Sequence, residues 1–408
     1  MPCPVTSIVN SSCNSSRHRL KKVTVAVLAA LSVGSMSHAN AAAEFKLGDN
    51  AGVTAGFGVR TSYSTRQRAA PNGIDDSHDF NLDNVRLYLG GHYGNVIKGT
   101  FNTERTGGPA SAGGDGVRVM DAIAQFEFMP EFNFWIGRML PPSDRANLAG
   151  PFYALPYTYP GVVSNYPSLG VGRDNGAMVW GKPFGGKLVY SLGAYEGHNK
   201  VAALSGASDK LLYAARLHVN ILDPEPAPAY YLGGTYGGSK DILSIGIAGF
   251  RQADGVGTAA TPGDLKIGNI DLLFEKKFGF GVPTLEAAYY KYNLGSVDCG
   301  SGEPGSPGCP IGGDNIGGQV DGKAYLVSAA LLLPQQLGWG QLQPFVRYQK
   351  FERSRSNTDN KALDFGINYV IKGPNAKVSV MYTKFEDTRM PVATRKANQF
   401  LVGAQLQY

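Results

Sequence analysis

The last ten residues read Gln399-Phe400-Leu401-Val402-Gly403-Ala404-Gln405-Leu406-Gln407-Tyr408. Phe400, Val402, Ala404, Leu406 and Tyr408 fall on one side of an extended chain, and Gln399, Leu401, Gly403, Gln405 and Gln407 on the other. Successive side chains of a strand point to opposite faces, so this stretch is a strand with one apolar and one mainly polar face. It runs to the final residue and ends on an aromatic ring. Soluble sheets blunt an exposed apolar edge with charge, proline or shortness. None of these devices is present, so the strand is expected to be paired on both sides.

The same period of two recurs along the chain. Val53, Ala55, Phe57, Val59, Thr61 and Tyr63 alternate with Thr54, Gly56, Gly58, Arg60 and Ser62. Similar runs cover 85–93, 97–104, 121–128, 188–195, 211–220, 230–237, 243–250, 267–275, 285–292, 325–333, 345–351, 362–371 and 378–382. The pattern predicts roughly 16 to 18 strands, and 16 is the preferred number, because single-chain bacterial barrels use even counts. Tight connections such as Met129-Pro130-Glu131 and Pro183-Phe184-Gly185-Gly186 alternate with long ones rich in glycine, proline or charge, such as 65–77 and 297–322. Short turns at one end and long loops at the other are what a transmembrane barrel needs, with the turns periplasmic and the loops extracellular.

Composition agrees with this reading. Glycine makes up 54 of 408 residues, and the mean hydropathy is −0.15. Alternating strands hide an apolar surface inside such a polar average. Arg17, Arg19, Lys21 and Lys22, the apolar run Val23–Val33, and Ala39-Asn40-Ala41 together form a secretory leader with a small-x-small cleavage site. The expected division is therefore a signal peptide at 1–41 and a barrel at 42–408. Removing the leader takes four of the 38 basic residues and no acidic one, leaving 34 against 32. That balance supplies no nucleic-acid footprint. Cys299 and Cys309 remain in the exported part, where the pair is expected to form a disulfide across a surface loop. No cofactor and no metal site is expected.

In hydrocarbon every backbone N–H and C=O must find a partner, and only closure of the sheet provides one for all strands. Tyr63, Tyr93, Tyr195, Tyr382 and Tyr408, near strand ends, suit the aromatic girdle of such a barrel. A barrel of about 16 strands is too wide for side chains to fill, so its polar face lines a water-filled lumen. Arg60, Arg86, Lys98, Arg216 and Arg347 project inward on this register, as do Asp121, Glu127, Glu286 and Asp364. Fixed charge in a narrow pore decides which ions enter. Between Gly137 and Gly172 no strand pattern survives. That loop holds Pro141, Pro142, Pro151, Pro156, Pro160 and Pro167 with Tyr153, Tyr157, Tyr159 and Tyr166. Long loops in compact folds are functional or disordered, and dense aromatics argue against disorder. The loop is expected to fold into the lumen and narrow it, with Arg138, Arg145 and Arg173 lining the constriction. The alternative is an external cap against a neighbouring subunit.

Several segments resemble the phosphate-selective porin O and P family. They are Leu82–Gly91, with an arginine before an alternating run, Asp121–Arg138, and Gly172-Arg173-Asp174-Asn175-Gly176-Ala177. Tyr190–Gly197, Tyr231–Asp254 and Asn368–Tyr382 are also similar, and the C-terminal strand resembles the one outer-membrane proteins present to their insertion machinery. The resemblance implies a homotrimer of 16-stranded barrels in the outer membrane, each with its third loop folded inside, passing ions and small solutes with an anion, phosphate-like preference. The 139–172 loop departs from the pattern in having Arg145 but no lysine. A tyrosine-rich loop suits a general or sugar-passing pore equally well. Two other functions compete: a sleeve around a partner protein, and an outer-membrane hydrolase, for which no nucleophile motif such as Gly-x-Ser-x-Gly is present. The expectation is therefore a channel and not an enzyme.

Overall fold

The structure is a computed structural model, and it describes residues 43–106, 116–164, 172–197, 209–257, 262–293, 321–354 and 357–408. The leader at 1–41 and the Cys299–Cys309 pair lie outside the described residues. A short strand, β1 (Ala43–Lys46), lies along β2 (Ala51–Arg66). There follow β3 (Ser77–Tyr93), β4 (Ile97–Thr106), β5 (Gly116–Met129), β6 (Phe132–Met139), a helix α1 (Arg145–Tyr153), β7 (Asp174–Gly181), β8 (Leu188–Tyr195) and β9 (Leu212–Asn220). The second half adds β10 (Ile242–Gly257), β11 (Pro262–Glu275), β12 (Val282–Asn293), β13 (Gly322–Leu332), β14 (Gln336–Leu337), β15 (Gly340–Arg353), β16 (Asp359–Lys372), β17 (Ala376–Asp387) and β18 (Lys396–Gln407).

From β2 onward sequence neighbours pair antiparallel, and β18 returns to pair with β2. The short strands β1 and β14 only extend the pairing of β2 and β15, and β13 pairs with β15 directly, so the closed ring has 16 strands. The C-terminal strand is paired on both edges, with Val402 opposite Val380 on β17 and Tyr63 on β2. Closure leaves no free edge in the ring.

The two faces are inverted relative to a soluble protein. On β9, Arg216, His218 and Asn220 are buried while Tyr213, Leu217 and Val219 are exposed. Around the ring Phe57, Leu87, Ile136, Ile247, Val327 and Phe365 face outward and are exposed, whereas Arg86, Gln125, Asp271, Gln349 and Asp364 are buried inside. Such an outer surface suits hydrocarbon, and such an interior suits water or polar partners.

Two sequence expectations are corrected here. Tyr195 is not part of an outer girdle but is wholly buried on the inner face of β8. The stretch 230–237 is not a strand. It belongs to an insert, 221–241, between β9 and β10. Its alternating Tyr-Leu-Gly pattern imitates a strand, but its apolar groups pack on other aromatics: Tyr230 lies 5.6 Å from Trp135 and 6.5 Å from Trp180. Pro224, Pro226 and Pro228 just upstream withhold three backbone donors from any ladder.

The interior is filled unevenly. One apolar cluster joins Trp135, Met139, Leu148, Val163, Trp180, Tyr195, Tyr230, Phe250, Tyr290 and Phe351. A small one joins Leu155, Tyr157, Phe345, Met381 and Leu401. Strands β2, β3 and β4 give no buried residue to either cluster.

Candidate functional site

The chain leaves the wall after Met139, two residues beyond Gly137, whose φ of 131° lies in the region that favours glycine. A Cβ there would stand 2.1 Å from the Ala122 carbonyl oxygen on β5. From Met139 to Ala149 every residue is buried. Helix α1 is broken at Gly150 (φ 63°, ψ −177°), and Pro151 follows. Proline offers no N–H, so the break directs Phe152 and the residues after it across the lumen.

An irregular segment inside a barrel must find partners for its backbone, and the inward side chains of the wall provide them. Gln405 donates to the carbonyl of Phe152 (2.7 Å), Lys377 to that of Ala154 (3.0 Å) and Asn368 to that of Leu155 (2.9 Å). Arg60 donates to the carbonyl of Tyr157, Arg347 to that of Thr158, and the Tyr292 hydroxyl to that of Val163. The segment 140–164 thus crosses the lumen and is not an external cap.

Its near end is held by charge. Arg145 is 1 % exposed and makes paired bonds of 2.7 and 2.8 Å to Glu225 of the 221–241 insert. It also donates to Ser244 (2.9 Å) and the Gly233 carbonyl (2.9 Å). Arg216 makes two 2.7 Å bonds to Asp271 and a third to the Ser143 carbonyl. Burial alone raises the Glu225 carboxyl, but Arg145 and His218 hold it well below the usual carboxylate range. For Asp144 desolvation wins, and its carboxyl is pushed up to about 6 although Tyr290 donates to it at 2.8 Å.

The far end meets the wall through stacking. The Phe152 ring contacts two guanidinium groups, Arg60 at 5.7 Å and Arg86 at 5.0 Å. Arg60 also covers the Tyr157 ring at 4.1 Å. Each such contact is worth about 0.5–2 kcal/mol. A bulge on β3 opposite Arg60 and Thr61 inserts Asp83 as an extra residue. Bulges re-aim side chains, and Asp83 accepts the Tyr157 hydroxyl at 2.7 Å. On the loop side of this stack a cavity of about 480 Å³ opens, lined by Arg60, Arg66, Asp79, Asn81, Asp83 and Tyr157 among others. On the turn side, His92, Lys98, Thr100 and Glu127 are half-buried on the inner face of β3, β4 and β5.

The other sequence-selected residues can now be placed. Arg86 pairs with Glu104 at 2.5 Å, Lys98 with Glu127 at 2.5 Å, Arg173 with Asp121 at 3.1 Å and Arg347 with Asp364 at 2.7 Å. Arg138 is a correction. It stands opposite Ala122 and Asn175, on the outward set of β5, β6 and β7, while Gly137 and Met139 take the inward positions. Residues missed in the sequence include Phe152, Asp83, Glu225 and Arg118, which is exposed opposite Glu104. Arg118 sits in a strand whose alternation is broken by the bulge at Met120, and nothing in the sequence marks that bulge.

No family model matches the chain, and no curated protein matches it. Solved structures do. An anion-selective porin from Comamonas acidovorans matches 88 % of this chain and 100 % of its own, with a TM-score of 0.58 at 13 % identity. The chain has the outer-membrane porin fold. Porin OmpF of Salmonella typhi, solved with daunomycin, gives a TM-score of 0.56 at 14 % identity over 90 % of this chain and 100 % of its own. The outer-membrane channel DcaP of Acinetobacter baumannii gives 0.53 at 13 % identity over 89 % and 99 %. The likeness reaches the porin fold and does not single out the phosphate-selective O and P family. One side of this porin-type barrel's lumen is occupied by the chain's own segments 140–164 and 221–241.

Proposed function

We propose that the barrel spans a bacterial outer membrane and passes ions and small hydrophilic solutes by diffusion along the inner face of β2–β5. The observation that carries this reading is the inverted ring: apolar side chains outside, charged and amide side chains inside, and a polar cavity beside the crossing loop. The solute path runs past the Arg60–Phe152–Arg86 stack. The sleeve reading is disfavoured because the chain's own segments 140–164 and 221–241 occupy the space that a partner protein would need. A hydrolase is disfavoured because the lumenal charges hold one another and the loop.

Selectivity should be weak. Five of the arginines and lysines expected to line the pore have a carboxylate at 3.1 Å or closer on the wall. Among the described residues, the carboxylates beside Arg60, Arg66 and Arg118 at the loop-side mouth are Asp79, Asp83 and the shared Glu104, which gives a slight lean toward anions. A planar-bilayer recording across a potassium chloride gradient should show a small chloride-directed reversal potential, and Arg60→Gln should bring it nearer zero. A strongly cation-directed potential would remove the anion lean, and no conductance at all would remove the channel.

Export with loss of 1–41, and assembly as a homotrimer in outer-membrane lipid, complete the proposal. The native membrane protein is expected to begin at Ala42 on N-terminal sequencing and to cross-link as a trimer. An intact leader or a monomer alone would count against the corresponding part.

A further inference from the structure

The outer wall carries a feature that conduction does not use. On β10 and β11 Arg251 stands directly opposite Lys266, and on β12 and β13 Lys291 stands directly opposite Lys323. All four are exposed and belong to the outward set. Like charges placed directly across a ladder repel. Lys266 has Asp264 at 3.3 Å. Among the described residues, Arg251, Lys291 and Lys323 have no carboxylate within ion-pair distance.

Register shows what lies between and below these cations. Gly249 is opposite Gly268, and Gly268 is opposite Lys291, so one cross-strand row reads Gly249, Gly268, Lys291, Lys323; it ends on β15 and β16 with Glu352 and Asp359, which pair with Lys350 and bound the cationic patch on that side. A Cβ added at Gly268 would touch nothing within 4 Å, so the wall is shallow there. The next row toward the turn end is Leu217, Ile247, Ile270, Tyr289 and Tyr325. Of these, Ile247 is 58 % and Ile270 48 % exposed. The cations therefore sit where the apolar belt stops, on the end of the barrel that carries the long loops. Neighbouring strands lie about 4.8 Å apart, so the patch spans roughly 14 Å across four strands.

We propose that this patch on β10–β13 docks the phosphate-bearing headgroup of an anionic lipid in the surrounding leaflet. Phosphate oxygens bridge the two like-charged pairs and relieve their repulsion. The headgroup lies over the glycine row, and the acyl chains run down the isoleucine and tyrosine row beneath. A free phosphate would match the cations but would leave the apolar row without a role, which is why a lipid is the occupant. The inference rests on the reading that the barrel crosses a membrane.

The test uses the full exported chain in neutral detergent. Native mass spectrometry would count retained phosphatidylglycerol, phosphatidylcholine and inorganic phosphate, each supplied separately. Wild type should retain phosphatidylglycerol about tenfold or more over phosphatidylcholine. The variant Arg251→Gln/Lys291→Gln/Lys323→Gln should lose that preference, since each basic group at an anionic lipid surface contributes several-fold. Lys372→Gln, at the opposite end of β16, should leave it unchanged. Equal retention of both lipids, or an unaltered triple variant, overturns the proposal. Displacement of the lipid by millimolar inorganic phosphate also overturns it, in favour of a soluble-ion site. Conductance of the triple variant is measured in parallel. A chain that retains anionic lipid but never conducts refutes the channel and leaves this site standing.

Discussion

Arg145→Ala should cost the barrel about 3–5 kcal/mol of stability, because removing one partner leaves Glu225 as a buried charge without its counterion. It should also raise conductance several-fold. Arg145 joins the crossing loop to the 221–241 insert through Glu225, and to the wall through Ser244. Without it the near end of helix α1 has the Arg216 bond to Ser143 and the Tyr290 bond to Asp144. Urea unfolding in lipid vesicles reads the first effect and planar-bilayer recording the second. Glu225→Gln keeps the shape of the pair and removes one charge, so it separates loop release from misfolding. If both variants conduct like wild type, the loop does not restrict the pore.

Val327→Lys is expected to destabilise by about 2–4 kcal/mol, the penalty for a cation at the middle of a lipid-facing wall. Val327 lies mid-strand on β13, 49 % exposed on the outward face. Four residues toward the loop end, on the same face, the chain already carries Lys323. The contrast makes the experiment sharp: one position tolerates a lysine and the other should not. A Val327→Lys barrel as stable as wild type in vesicles would mean that this face is not in contact with hydrocarbon.

Much of this fold is legible in the sequence because its outer face has one simple chemistry. Leu363, Phe365 and Ile367 alternate with Ala362, Asp364 and Gly366, and the structure puts the first set outside and the second inside. The inward positions of Arg60, Arg216 and Arg347 follow from the same alternation. Legibility fails where the period breaks. The bulges that add Asp83 and Met120 place two consecutive residues on the inner face. Arg138 was expected inside because it borders the loop, but one step of register separates it from the lumen. The insert 221–241 failed for a different reason. Its Tyr230 and Leu232 are buried against Trp135 and Trp180, far away in sequence, and tertiary packing of that kind leaves no local trace.

The uneven filling of the lumen divides the barrel mechanically. Strands β5–β13 are backed by a continuous apolar mass, so opening any one of them means unpacking its neighbours. Strands β2–β4 are backed by loop contacts and open space. Their amides should therefore exchange with deuterium first, as locally weaker units do. The largest solute that passes would then be set by how far this soft quarter of the wall yields, and stiffening β2–β4 would shrink the size limit without narrowing the resting pore.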